Sequence, residues 1–303
     1  MKKFNSNLLI AFACAGILTS CKIPETYKGI FKIYENALQP VPFAEELALP
    51  NNTYKGSFSH DYKAFYFFRK QTPDTEDYRI FQSSFLGHQW KEPNLIDFSD
   101  SNSDIYTMVS SIQPDTLFFT SYRRLPGDTS TKTNSNFWFS VMQQGRWGNP
   151  KPIILPGLVQ NYNSQPSMAD NGNIYFSSTS PDWNTTWTYK MEYRDGVYQT
   201  PVLFDFVNNL RSTDTTHTYH EICISPKEDY MIMVISKRGQ EPKLFLSNFR
   251  SGIWQSPRDL GELVNADMAG NFPYITRDGR FLIFTKKFSA FYIFPTKRFT
   301  EIK

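Results

Sequence analysis

Gly252-Ile253-Trp254-Gln255-Ser256-Pro257 is the stretch on which the fold reading turns, because its pattern occurs four times. An aromatic residue, two spacers and a proline recur as Trp90-Lys91-Glu92-Pro93, Trp147-Gly148-Asn149-Pro150, Tyr198-Gln199-Thr200-Pro201 and Trp254-Gln255-Ser256-Pro257. A glycine stands just upstream of each, at Gly87, Gly145, Gly196 and Gly252. The period is about 50 to 60 residues, the length of a propeller blade.

Working outward, each copy is preceded by a polar turn that leads into an apolar run. Ser59-His60-Asp61 comes before Phe65 to Phe68, Pro114-Asp115 before Leu117 to Phe119, and Ala169-Asp170-Asn171-Gly172 before Ile174 to Phe176. Ser225-Pro226-Lys227-Glu228 comes before Met231 to Ile235, and Thr276-Arg277-Asp278-Gly279 before Phe281 to Phe284. A third run follows in each unit, at Tyr78 to Phe81, Phe137 to Phe139, Trp187 to Lys190, Leu244 to Leu246 and Phe291 to Phe294. Five turns imply five units of four short antiparallel strands, with Gly, Pro, Asn and Asp at the corners. One such meander cannot bury both faces alone, so the units must stack, and stacking them radially also protects their edges. The expected fold class is all-β, a single β-propeller of about five four-stranded blades over residues 29–303.

The fifth unit lacks an outer strand, because the sequence reaches Lys303 without another aromatic-x-x-Pro element. The segment Gly29 to Leu49, with Ile30 to Tyr34 and Pro42 to Leu47, is placed to supply it and close the ring from the N-terminal side. A degenerate sixth blade over 29–51 is the other reading of the same segment.

Met1-Lys2-Lys3, an apolar run from Leu8 to Leu18, and Leu18-Thr19-Ser20-Cys21 read as a charged leader, a short hydrophobic region and a lipid-attachment site. The apolar run is shorter than the roughly 20 residues that a bilayer-spanning helix needs. It resembles the bacterial lipoprotein signal, which implies a signal peptide over 1–20, lipid on Cys21 and a tether over 21–28. Acyl chains on Cys21 would make the membrane a partner. Lys22, rather than Asp, follows the cysteine, which makes the outer membrane the expected location within the cell envelope, on either face.

Without Lys2 and Lys3, 30 basic residues stand against 29 acidic ones, so no electrostatic footprint for nucleic acid is present. Cys223 is the one thiol beyond Cys21. It lies in the apolar run Glu221-Ile222-Cys223-Ile224-Ser225 and reads as core, with no internal disulfide.

Ser225-Pro226-Lys227-Glu228 through Ser236-Lys237-Arg238-Gly239, and Thr276-Arg277-Asp278-Gly279 through Thr285-Lys286-Lys287, resemble the WD40-like propeller repeat of the TolB type. That repeat has a Ser-Pro-Asp-Gly turn, an apolar strand ending in Ser or Thr, and a basic residue. The resemblance extends over nearly all of the chain beyond Cys21, although no copy matches the whole pattern. It implies the propeller fold and, since propellers host unrelated activities, little about function. The basic pairs Arg69-Lys70, Arg123-Arg124, Lys237-Arg238 and Lys286-Lys287 recur at one place in the unit, and a structural role is their expected one. Ser180-Pro181-Asp182-Trp183-Asn184-Thr185-Thr186-Trp187 resembles the Asp-box of sialidases, a structural hairpin turn, with Asn184 in place of Gly.

If inner strands line a central channel, the residues just ahead of the polar turns surround its mouth. Asp104, Gln165, His220, Glu221 and Asn271 are the candidate ligand-binding residues on that ground. Metal binding is not expected: His217 and His220 are three apart on a strand and should face opposite ways, and no cofactor motif occurs. There is no Gly-x-Ser-x-Gly elbow and no second domain to complete a triad. The expected function is therefore a non-catalytic envelope module that binds a protein segment or a glycan. The alternative is a carbohydrate-active hydrolase or lyase, with Asp104, His220 and Glu221 clustered at the mouth.

Overall fold

The computed structural model describes residues 29–48, 53–70, 72, 78–86, 88–99, 104–110, 115–129, 134–266 and 270–300. Cys21, its flanking segments and the expected lipid attachment lie outside the described residues. Among the described residues no helix is long and apolar enough to cross a membrane.

The chain folds as a five-bladed β-propeller, each blade an antiparallel sheet. The inner strands are Thr53–Phe58, Asp104–Ser110, Tyr162–Met168, His217–Ile224 and Gly270–Ile275. Each touches the inner strand of the next blade, and the last touches the first, so the ring is closed. The second strands, Ala64–Lys70, Thr116–Ser121, Ile174–Thr179, Tyr230–Lys237 and Phe281–Lys286, are buried on both faces for most of their length. That explains why they read as continuous apolar runs and not as alternating ones.

The repeated Gly-x-aromatic-x-x-Pro element is the hairpin into the outer strand. Gln144-Gly145, Asp195-Gly196 and Ser251-Gly252 all have positive φ, and each pair forms the two-residue loop that joins the third strand to the outer one. Positive φ at both positions defines the type I′ turn, whose twist matches the strands it joins, and Gly is the residue that adopts it without strain. The proline then cuts the outer strand into two short pieces, such as Ile253–Trp254 and Arg258–Asp259. An edge strand tolerates the missing N–H that a central strand would not.

The polar turns are tied by their first hydroxyl. Ser225 Oγ accepts from the backbone N–H of Asp229 (3.0 Å) and Tyr230 (3.1 Å). Thr276 Oγ1 donates to Asp278 (2.7 Å) and accepts from Phe281 N (3.0 Å). Such side-chain bonds offer the backbone an alternative to continuing the ladder, which turns the chain.

Five hydrophobic clusters fill the five gaps between blades. The largest in aromatic content lies between blades 5 and 1, where Val41–Phe43 pairs antiparallel with Phe291–Ile293. This is the N-terminal closing strand that the missing outer strand required, and the described part of the segment forms no sixth blade. Phe43 is 1% exposed and its ring meets Phe31, Phe58, Phe65 and Trp90 at 5.5 to 6.3 Å. Phe31 in turn stacks on Phe281 of blade 5 at 5.0 Å. Gly56 admits these rings, because a Cβ there would come within 2.3 Å of Phe65. Two of the basic pairs contribute to the scaffold: Arg69 donates to Leu47 O (2.9 Å) and Arg123 to Phe98 O (2.6 Å), holding the segments that enter blades 1 and 2.

Truncating the closing strand's anchor, Phe43→Ala, is expected to cost about 3–5 kcal/mol of unfolding free energy, as for other buried phenylalanines. Urea denaturation followed by tryptophan fluorescence reads this, and an unchanged midpoint would show that ring closure does not depend on this side chain.

Candidate functional site

Every inner strand is bulged part-way along. Register slips between Thr53 and Gly56, Asp104 and Met108, Ser164 and Ser167, Tyr219 and Glu221, and Asn271 and Tyr274. A bulge inserts extra residues and re-aims the side chains around it. Lys55, Gln165, His220 and Phe272 all sit at these slips, and Gln165 and Phe272 have positive φ, of 54° and 56°. A non-glycine residue in that region is uncommon, more so ahead of Pro166 and Pro273, and it marks a place where the surroundings hold the backbone in an unusual state.

Inside the channel Lys55 Nζ donates to Glu221 Oε1 at 2.5 Å, with both side chains no more than 3% exposed. Lys55 belongs to blade 1 and Glu221 to blade 4, which are separated by blade 5, so the bond spans the axis rather than joining neighbours. Burial pushes the Glu221 carboxyl above its ordinary range, and the Lys55 ammonium pulls it back only in part. Cys223 lies beside the pair; burial raises its thiol to about 11, against the pull of Lys55. It stays protonated at neutral pH and behaves as core.

Glu221 is therefore not at an open mouth. Its carboxylate is committed to Lys55, which the sequence reading had not singled out. His220, its neighbour, goes elsewhere: Nε2 bonds Ser236 Oγ at 2.7 Å, and the ring lines a cavity between blades 3 and 4. Desolvation first, and the nearby Arg211 charge second, hold His220 below its usual pKa.

That cavity, about 500 Å³, opens where the blade-connecting segment enters the inner strand of blade 4. Blade 3 supplies Ser164, Gln165, Ser177, Thr179 and Thr186, and blade 4 supplies His217 to His220. Arg211, Asp214 and Thr215 come from the helix Asp205–Thr213 and the turn behind it. The helix is fixed by a two-way bond, Thr188 N to Asn208 Oδ1 (2.8 Å) and Asn208 Nδ2 to Thr188 O (2.9 Å), and by Val207, which is fully buried. Below the cavity the two blades are locked by Glu228, which accepts from Asn171, Asn173 and Tyr175 and pairs with Lys190. Both walls of the cavity are thus backed by side-chain hydrogen bonds.

Asp214 organises the rim. Its carboxylate accepts from Thr216 Oγ1 (2.6 Å) and Thr216 N (2.9 Å) and meets His217 Nδ1 at 2.7 Å. Those bonds, the Thr216 ones foremost, hold the Asp214 carboxyl down at about 2. With Nδ1 anchored, Nε2 is the free nitrogen of His217. His217 and His220 line the same cavity, contrary to the expectation from strand alternation, because the bulge after Tyr219 breaks the alternation. Among the described residues no three His, Cys, Asp or Glu side chains gather so as to hold a metal ion.

Arg211 Nη1 donates to Thr188 Oγ1 (2.8 Å) and Asn208 Oδ1 (3.3 Å), and Nη2 to Tyr219 O (3.0 Å). Burial lowers its pKa to about 10. Across the cavity Trp183, 63% exposed and with φ of 62°, leans on Tyr162 at 4.2 Å. Its position comes from the Asp-box-like turn, which bonds to itself: Asn184 N donates to Asp182 (3.1 Å) and Thr185 N to Ser180 Oγ (3.1 Å). Of the five candidates, Gln165 and His220 line this cavity and Glu221 lies in the channel. Asp104 and Asn271 occupy matching inner-strand positions in blades 2 and 5, opposite Ser121 and Thr285, and their side chains lie outside the described residues. Arg211, Asp214 and Trp183 escaped the sequence reading, since none lies on an inner strand; the Asp-box resemblance was the one signal that pointed near Trp183.

No family model matches the chain, and no curated protein matches it. Among solved structures it is similar to a gluconolactonase from Xanthomonas campestris, with 11% identity, TM-score 0.49, and coverage of 85% of this chain and 84% of that one. A protein of unknown function from Dyadobacter fermentans shares 13% identity, with TM-score 0.47 and coverage of 88% and 84%. The β-propeller domain of the Trilobed protease from Pyrococcus furiosus shares 11%, with TM-score 0.37 and coverage of 80% and 68%. The chain's own sheets make it a five-bladed propeller with a polar cavity between blades 3 and 4.

Removing one partner of the channel pair, Glu221→Gln, is expected to destabilise by about 3–5 kcal/mol, because it strands a buried ammonium. The double change Lys55→Met with Glu221→Leu should recover most of that loss in urea denaturation. Equal loss in both variants would mean that the site senses volume and not charge.

Proposed function

We propose that this chain is a membrane-tethered propeller of the cell envelope that binds a glycan or a protein segment in the cavity between blades 3 and 4, without chemistry of its own. The observation that carries the reading is the cavity itself: hydrogen-bonded walls, hydroxyl and amide groups, one largely buried cation and an exposed indole at the rim. Ligand sites combine a pre-formed concavity with a few placed polar groups in this way. The carboxylate pair that a glycosidase would use finds no support in Glu221, whose carboxylate already holds Lys55. The TolB-type resemblance fits an envelope binding module and rests on the two repeat copies at 225–239 and 276–287.

One observation favours the catalytic alternative. Asp214 anchors Nδ1 of His217 at 2.7 Å, the arrangement that orients an imidazole as a general base. The full-length protein in detergent, applied to arrayed glycans and envelope peptides with products followed over time, separates the two. Saturable binding without turnover, weakened at least tenfold by Trp183→Ala, is the expected result. Turnover abolished by His217→Ala would replace the binding module with an enzyme, and no binding at all would sink both.

The tether rests on Leu18-Thr19-Ser20-Cys21. Metabolic labelling with a fatty acid should mark the wild type in the membrane fraction, and Cys21→Ala should lose the label and leave that fraction. An unlabelled wild type would overturn the lipid anchor.

A further inference from the structure

We propose that the blade 3–4 cavity takes a sugar that carries a carboxylate, with Arg211 receiving the carboxylate and the Trp183 indole receiving the face of the ring. This rests on the binding reading above and narrows it to a ligand class.

The guanidinium is the reason. Arginine has five N–H donors, and the three that Arg211 uses go to neutral acceptors: a threonine hydroxyl, an asparagine amide and a backbone carbonyl. None of its partners among the described residues is a carboxylate. The acid in the same wall, Asp214, is spent on Thr216 and His217. A largely buried cation without a counter-ion is costly, and its depressed pKa expresses that cost. Among the described residues two of its five N–H groups find no acceptor, and a planar guanidinium with donors to spare matches a carboxylate. Its three bonds hold the guanidinium in the wall, and the helix that carries it is pinned to both backbone groups of Thr188.

The rest of the wall suits a sugar. Ser164 and Thr218 line it with hydroxyls, Thr179 and Thr186 with a hydroxyl pair bonded to each other at 2.9 Å, and Gln165 with an amide. These groups can exchange hydrogen bonds with ring hydroxyls as both donors and acceptors. Trp183 offers a flat apolar surface at the rim, held by Tyr162 and by a self-bonded turn, so little ordering is needed on binding. An acidic peptide would find the cation and the indole, but few apolar pockets for side chains.

The test uses the full-length protein in detergent and glycosides of glucuronate, galacturonate and N-acetylneuraminate, each paired with its methyl ester. Titration calorimetry reads binding. At least one acid should bind saturably, with its ester at least tenfold weaker. Arg211→Gln should bring that acid down to the level of its ester, Arg211→Lys should restore only part of the difference, and thermal melts should show both variants folded. Acid and ester binding alike, both lost in Trp183→Ala, would overturn the carboxylate assignment while leaving the glycan-binding reading intact. Binding of an Asp-rich peptide, but of none of the sugars, in an Arg211-dependent manner would overturn the sugar and keep a protein-segment reading. No binding by any of these probes would overturn the assignment, and failure of the arrays as well would overturn the binding module.

Discussion

Closure of the ring is the constraint from which the rest follows. A sheet of four short strands has two apolar faces and two open edges, and neither can be left in water. Packing each blade against two neighbours solves the faces, and it works only if the last blade also meets the first. Here the chain meets that demand with three residues, Val41–Phe43, laid against Phe291–Ile293, and with a cluster of aromatic rings behind them. The other four interfaces are ordinary by comparison, since consecutive blades are joined covalently and need only pack.

Closure leaves a channel, and the channel is where charge has been admitted to the interior. Lys55 and Glu221 meet across the axis with no solvent contact to speak of. Ion pairs of this kind add little net stability over apolar substitutes, but losing one partner strands a buried charge. The pair therefore links two blades that are not neighbours in the ring. It also ties up the carboxylate of Glu221, one of the candidate site residues, in a bond to Lys55. The polar cavity lies instead at the seam between blades 3 and 4, where a helix inserted in the connection brings Arg211 and Asp214 to the wall.

The fold was legible because its signals are local and repeated. The glycine ahead of Trp147, Tyr198 and Trp254 marks a turn that needs positive φ, and the proline after each marks a broken edge strand. Those requirements survive without any knowledge of the neighbours. The site was less legible because it depends on strand parity and on cross-chain partners. A bulge at His220 turns Glu221 towards Lys55, 166 residues away, and lets His217 and His220 share one cavity. No periodicity in the sequence announces an extra residue in a strand. The helix Asp205–Thr213 was missed for a related reason: it lies in the connector between two repeats, where the repeat pattern has nothing to say.

The same closing strand sets the order in which this protein can become safe. Val41–Phe43 leaves the ribosome before blades 1 to 4, and its partner, Ala290–Pro295, leaves only after them. Until then the rings of Phe31, Phe43 and Phe58 have no blade 5 to cover them, and blade 1 keeps a bare flank. Long-range β pairing of this kind is slow, and an unfinished sheet edge is a template for aggregation. A nascent chain of this design thus carries its stickiest surface for the longest time, and any protein that escorts it must stay bound until the final blade arrives.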